Sequence, residues 1–176
     1  MQTAKQVRTV CFVGPSGSGK TTLIEQLIPL IQARNMRVAA VKATHHIVEP
    51  DHPGKDSWRL REAGAEEVFL VTPRHTIHTH VVNEVEELRV IVRRIRRGVE
   101  LVLVEGFRSS LYPKVLVGES VASAISRGTK GAILAAVDVT REGSVEPEGV
   151  NLEALLEIIL GASGSDKLVR PDEGVG

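Results

Sequence analysis

The stretch Gly14-Pro15-Ser16-Gly17-Ser18-Gly19-Lys20-Thr21 satisfies every constrained position of the pattern G-x-x-x-x-G-K-[ST], and it leaves few folds open to the chain. The pattern carries a mechanism. Glycines let backbone N–H groups turn inward around nucleotide phosphates, the lysine reaches the β- and γ-phosphates, and the hydroxyl after it ligates Mg²⁺. Its setting agrees. Thr9-Val10-Cys11-Phe12-Val13 reads as a buried strand, and Thr21 to Arg34 reads as a helix with Leu23, Leu27, Ile28 and Ile31 at helical spacing. The helix N-terminus then points at the anion. The predicted phosphate-binding set is Gly14, Ser16, Gly17, Ser18, Gly19, Lys20, Thr21 and Thr22, with Lys20 also acting electrostatically in catalysis and Thr21 on the metal. A plain Gly/Ser turn would leave Lys20 and Thr21 unexplained.

Strands and helices continue to alternate. Pro29 is expected to kink the first helix, since its ring blocks the bond to the Glu25 carbonyl. Arg37 to Val41 is a second strand, followed by a polar loop, Thr44 to Lys55, with three histidines and two prolines. Asp56 is expected to cap a short helix, Ser57 to Ala63, that Gly64 ends. Val68 to Val71 and His75 to Val82 form a hairpin across Thr72-Pro73-Arg74. Asn83 and Glu86 resemble a capping box for a helix through Arg97, with Val85, Leu88, Val92 and Ile95 buried. Leu101-Val102-Leu103-Val104 is apolar throughout, as a central strand covered on both faces would be. Lys114 to Val117 and Ala132 to Val137 are further strands, and Asn151 caps a last helix with Leu152, Leu155, Leu156 and Ile159 inward.

This order predicts an α/β fold of three layers, a mainly parallel sheet with helices on both faces and a small added β-hairpin. The 176 residues suit one domain over 1–160, followed by a polar, Gly-rich, mobile tail over 161–176. Ligands of such sheets gather at the carboxyl ends of the strands, where Gly14, Lys42, Glu105 and Asp138 fall. The formal net charge of +0 argues against nucleic acid as a partner. No apolar run approaches a membrane span, and the first ten residues lack the apolar core of a signal peptide, so a cytoplasmic protein is expected. The single cysteine, Cys11, is expected in the core.

Glu105 follows the central strand, where a carboxylate commonly holds Mg²⁺ and orients water. Gly106 would let its N–H approach a γ-phosphate. Lys42, closing the second strand, could meet a phosphate or a second anion. Asp56 could cap its helix, touch a ligand or Mg²⁺, or do both. Asp138 could accept from guanine N1–H and N2–H₂, but no Asn-Lys-x-Asp sequence fixes the base, so GTP and ATP both stay open. His45 and His46 point to opposite sides of an extended chain, and His78 and His80 share a face; a half-exposed strand competes there with metal binding. Arg89, Arg93, Arg94, Arg96 and Arg97 match the helix dipole, with Glu84, Glu86 and Glu87 at its other end. No residue is an evident strong base and no arginine an evident finger for a transition state.

Three segments together resemble the MobB family, the molybdopterin-guanine dinucleotide biosynthesis adaptors of the P-loop NTPase superfamily. They are GPSGSGKTTL at 14 to 23, VKATHHIVEPDHPGKDSWRLREAGA at 41 to 65 and LVLVEGFR at 101 to 108. The resemblance implies a homodimeric, cytoplasmic GTP-binding protein with Mg²⁺ and weak GTPase activity. It would assist a MobA-type guanylyltransferase that attaches GMP to molybdopterin, with molybdopterin or a molybdoenzyme as a further partner. It places Glu105 in the second nucleotide motif, and Lys42 to His46 and Gly54 to Ser57 along the same pocket or the dimer groove. A small-molecule P-loop kinase and a GTP-dependent metallochaperone are the alternatives.

Overall fold

The computed structural model describes residues 7–139 and 150–161. In chain order its elements are β1 (Arg8–Val13), α1 (Lys20–Ala33), β2 (Val38–Lys42), α2 (Asp56–Glu62), β3 (Glu67–Val71), β4 (Thr76–His80), α3 (Leu88–Arg94), β5 (Leu101–Glu105), β6 (Lys114–Val117), α4 (Val121–Ser126), β7 (Ile133–Val137) and α5 (Leu152–Gly161). The chain divides into two compact units, one from the residues up to Ala43 and from Leu88 onward, the other Thr44–Glu87. Residues 44–87 add no strand to the main sheet and form a helix and a separate hairpin.

In the first unit the strands run β2-β5-β1-β6-β7, every neighbouring pair parallel. Side chains alternate across a strand, so each strand feeds two cores. Val10, Phe12, Leu101, Leu103, Val115 and Val117 pack with Leu23, Leu27 and Ile31 of α1 and Leu155, Leu156 and Ile159 of α5. Cys11, Val13, Val102, Val104 and Leu116 pack with Leu88 of α3 and Ala124 of α4. The three layers and the buried Cys11 are as expected. So is the cap of α5: Asn151 Oδ1 accepts from the Ala154 N–H at 2.9 Å. Helix α1 continues through exposed Pro29 to Ala33, because Leu27 and Ile31, both buried, hold it to the sheet on either side.

Two helix starts differ from expectation. The helix predicted from Asn83 begins at Leu88. Val85 is 87% exposed and Leu88 is the first buried side chain, so residues 83–87 have no apolar face to dock, and a capping box stabilises by only about 1 kcal/mol. Asp56 is the first residue of α2 rather than its cap; Lys55 flanks the helix at φ −75°, ψ 158°, with no side-chain cap. The reason is the tight turn before it, in which the Lys55 N–H donates to the His52 carbonyl at 3.2 Å. Helix α4 was not anticipated; Ser120 caps it, accepting from the Ser123 N–H at 3.3 Å. Gly161 ends α5 rather than opening the tail, and 162–176 lie outside the described residues.

In the second unit β3 and β4 pair antiparallel, Glu67 opposite His80 through Val71 opposite Thr76. Thr72 closes the turn, its N–H donating to the His75 carbonyl and its hydroxyl accepting from the His75 N–H, both at 2.8 Å. No helix among the described residues is long and apolar enough to cross a membrane.

Candidate functional site

The loop from Gly14 to Gly19 leaves the carboxyl end of β1 and turns into α1. Gly17 and Gly19 hold φ of 75° and 82°, a left-handed backbone that turns amides inward and that glycine adopts without strain. Lys20 folds over the loop. Its Nζ donates to the carbonyls of Gly14, at 3.3 Å, and Pro15, and lies 3.5 Å from Ser18 Oγ. Burial pushes the Lys20 amine below its ordinary range; Glu105 and Glu119 oppose that push and Lys42 and Arg108 add to it. Ser18 is buried, Lys20 and Thr22 half-buried, and Ser16 and Thr21 exposed.

Strand order brings the remaining charges to this loop. Strand β5 lies between β1 and β2, with Phe12 and Lys42 both level with Glu105. The Thr21 hydroxyl donates to Glu105 Oε2 at 2.7 Å, Lys42 Nζ lies 3.2 Å from the same oxygen, and Lys42 Nζ and Thr21 Oγ1 are 3.5 Å apart. Two oxygen donors, one anionic, at a phosphate loop fit a hard divalent cation such as Mg²⁺. Thus the structure brings together the loop, Thr21, Lys42 and Glu105.

The other predicted residues lie at strand ends or in the second unit. The Gly106 N–H donates to the Phe12 carbonyl at 3.0 Å. Asp138 is exposed just past the end of β7. Asp56 belongs to the second unit, exposed, 3.6 Å from Arg59. There Arg61 pairs with Glu49. His78 stacks on Phe69 at 4.1 Å and lies 3.2 Å from Glu67, while His80 lies 3.5 Å from Glu86. Among the described residues no three His, Cys, Asp or Glu side chains converge as a metal group.

Sequence reading missed two features. Glu119, just beyond β6, is paired with Arg108 at 2.6 Å. The signal was available, since Glu119 follows an apolar strand as Glu105 does. Lys114 is fully buried, its Nζ donating to the Ser110 carbonyl at 2.8 Å, Ser110 Oγ at 3.0 Å and the Tyr112 carbonyl. It ties the loop after β5 to β6. No local pattern marks it.

The family model for MobB, molybdopterin guanine dinucleotide synthesis protein B, matches residues 9–139. The chain is 42% identical over 113 residues to the molybdopterin-guanine dinucleotide biosynthesis adapter protein of Haemophilus influenzae, covering 64% of each. It is 38% identical over 111 residues to that of Escherichia coli K12, covering 61% of this chain and 63% of the relative. The chain thus spans just under two thirds of the length of these relatives. A crystal structure of molybdopterin-guanine biosynthesis protein B (mobB) superposes with a TM-score of 0.65 at 30% identity, over 87% of this chain and 97% of that one.

Proposed function

The chain belongs to the MobB family, and from that premise we propose that it is a GTP-binding adaptor of molybdopterin guanine dinucleotide synthesis, working in the cytoplasm beside a MobA-type guanylyltransferase. The observation that carries the nucleotide reading is the meeting of Thr21, Glu105 and Lys42 beside the Gly14–Gly19 loop. Backbone amides and Lys20 would cradle the phosphates, Lys20 exchanging loop carbonyls for phosphate oxygens. Thr21 and Glu105 would hold Mg²⁺, which offsets charge on the phosphate oxygens. Lys42 would neutralise Glu105 or meet an anion. Asp138, exposed at a strand's carboxyl end, is the candidate acceptor for guanine. Hydrolysis is expected to be slow, well below the roughly 1 s⁻¹ of kinases.

The second unit supports a homodimer. An isolated two-stranded hairpin is marginal in water, yet β3 and β4 expose Phe69, Leu70, Val71 and Ile77. Pairing with a second copy would cover them. Molybdopterin or a molybdoenzyme would then be a further partner of the assembled adaptor.

Calorimetric titration of GTP and ATP, each with Mg²⁺, against wild type and Lys20→Ala tests this reading. Tight GTP binding, weak ATP binding and loss of both in the variant are expected. A preference for ATP would overturn the assignment of the nucleotide, and turnover of GTP alone above roughly 1 s⁻¹ would overturn the adaptor.

A further inference from the structure

A charge pair follows β6 at the point where that strand meets the phosphate loop. β6 ends against the loop: a Cβ on Gly118 would stand 2.9 Å from the Ser18 Cβ. Glu119 comes next. Its side chain is 3% exposed, Oε1 accepts from Arg108 Nη2 at 2.6 Å, and Oε2 has no hydrogen-bond partner. Arg108 arrives from the other direction, three residues after Glu105, through Gly106 and Phe107 at φ 103° and 52°. A phenylalanine takes that conformation only under constraint. Arg108 Nη1 also donates to Thr129 Oγ1 at 2.7 Å. The guanidinium is therefore held from two sides.

Burying Glu119 has a cost that its pairing with Arg108 offsets. A buried carboxylate beside a phosphate site repels phosphate, and one of its oxygens is unpartnered. Arg108 cancels that charge. A guanidinium carries five N–H donors in a rigid fork, and its bonds to Glu119 and Thr129 use one each, so donors remain for an incoming oxyanion. Since Arg108 shares a short strained turn with Glu105, a ligand at the metal position and one at Arg108 would be read by the same loop.

We propose that Arg108, steered by Glu119, donates to the terminal phosphate of the bound nucleoside triphosphate and so distinguishes tri- from diphosphate. The inference rests on the nucleotide reading of the loop. Arg108 would be the cation for charge on the γ-phosphoryl group, supplied within the chain, and Glu119 a positioning residue.

The experiment is calorimetric titration of GDP and a non-hydrolysable GTP analogue, with Mg²⁺, into wild type, Arg108→Lys, Glu119→Gln and the double variant Arg108→Ala/Glu119→Gln. The double variant removes both charges together, so no buried carboxylate is left unpaired; thermal unfolding checks each fold. Wild type is expected to prefer the triphosphate. Glu119→Gln should keep or strengthen the preference. The double variant should bind GDP as wild type does and lose on the order of tenfold in the triphosphate preference, the scale of one charge-assisted hydrogen bond. Arg108→Lys should fall between. A double variant or Arg108→Lys that keeps the wild-type ratio would show that Arg108 only neutralises Glu119 and would overturn the proposal, as would a wild type with no preference. A wild type that binds neither nucleotide would remove the nucleotide reading itself, and this proposal with it.

Discussion

The Thr21 hydroxyl donates to Glu105 Oε2 at 2.7 Å across 84 positions of sequence. The first turn of α1 and the end of β5 thus present one oxygen-lined point beside the phosphate loop. Replacing Thr21 by Ala or Glu105 by Gln is expected to weaken Mg²⁺-supported GTP binding by about tenfold or more, as loss of metal-site partners does. Binding measured in excess chelator should change little. Calorimetry with and without Mg²⁺ separates the two; equal losses in both would mean that the pair is structural.

Gly14 allows a close approach of chains. A Cβ at this position would stand 1.9 Å from the Val117 carbonyl oxygen, which is backbone and cannot swing away. Gly14→Ala must therefore part β6 from the loop. The expected cost is about 1–3 kcal/mol, typical of overpacking, read as a lower urea midpoint. Phosphate binding should fall with it.

Buried Lys114 predicts a pH dependence. Burial holds its amine below the ordinary 10.5. The folded chain then sheds this proton at lower pH than the unfolded chain, so stability should rise with pH between the lowered value and 10.5. Burial raises the Cys11 thiol above its ordinary 9.0, so its titration opposes that rise at the upper end of the window. Urea unfolding from neutral pH to 10.5 should show stability gained with rising pH in wild type relative to Lys114→Met. Parallel curves would show that the amine titrates as in the unfolded chain.

The proposed dimer rests on the hairpin. Phe69 and Val71 share one face of β3 and are 58% and 72% exposed. Phe69→Lys combined with Val71→Lys should leave the first unit and its nucleotide affinity intact while shifting the sedimenting species from dimer to monomer. A wild type that sediments as a monomer would remove the dimer from the account.

Much of the fold was legible because its causes are local. The apolar run Leu101–Val104 is central and buried on both faces as read, and Asn151 caps α5 as read, since the buried leucines that follow give that cap a helix to stabilise. Asn83 looked equally good as a cap and failed, because Val85 has nothing to pack on. A cap contributes about 1 kcal/mol and docking of an apolar face several times that. Asp56 was misread by one position for a related reason: the turn at His52–Lys55 sets where α2 begins.

For the site, the amino-acid sequence by itself determined the phosphate loop, the Thr21 hydroxyl that follows it and the strand-end carboxylate of Glu105, because each depends on a few neighbouring residues and one repeating geometry. Tertiary structure decided which distant groups meet them. The order β2-β5-β1-β6-β7 sets Lys42 beside Glu105. Through the same order the Gly106 N–H is committed to Phe12, Lys114 is buried under the loop after β5, and Arg108 is joined to Glu119 beside Ser18. Strand order comes from packing summed over the whole sheet, so no single stretch of the chain records it.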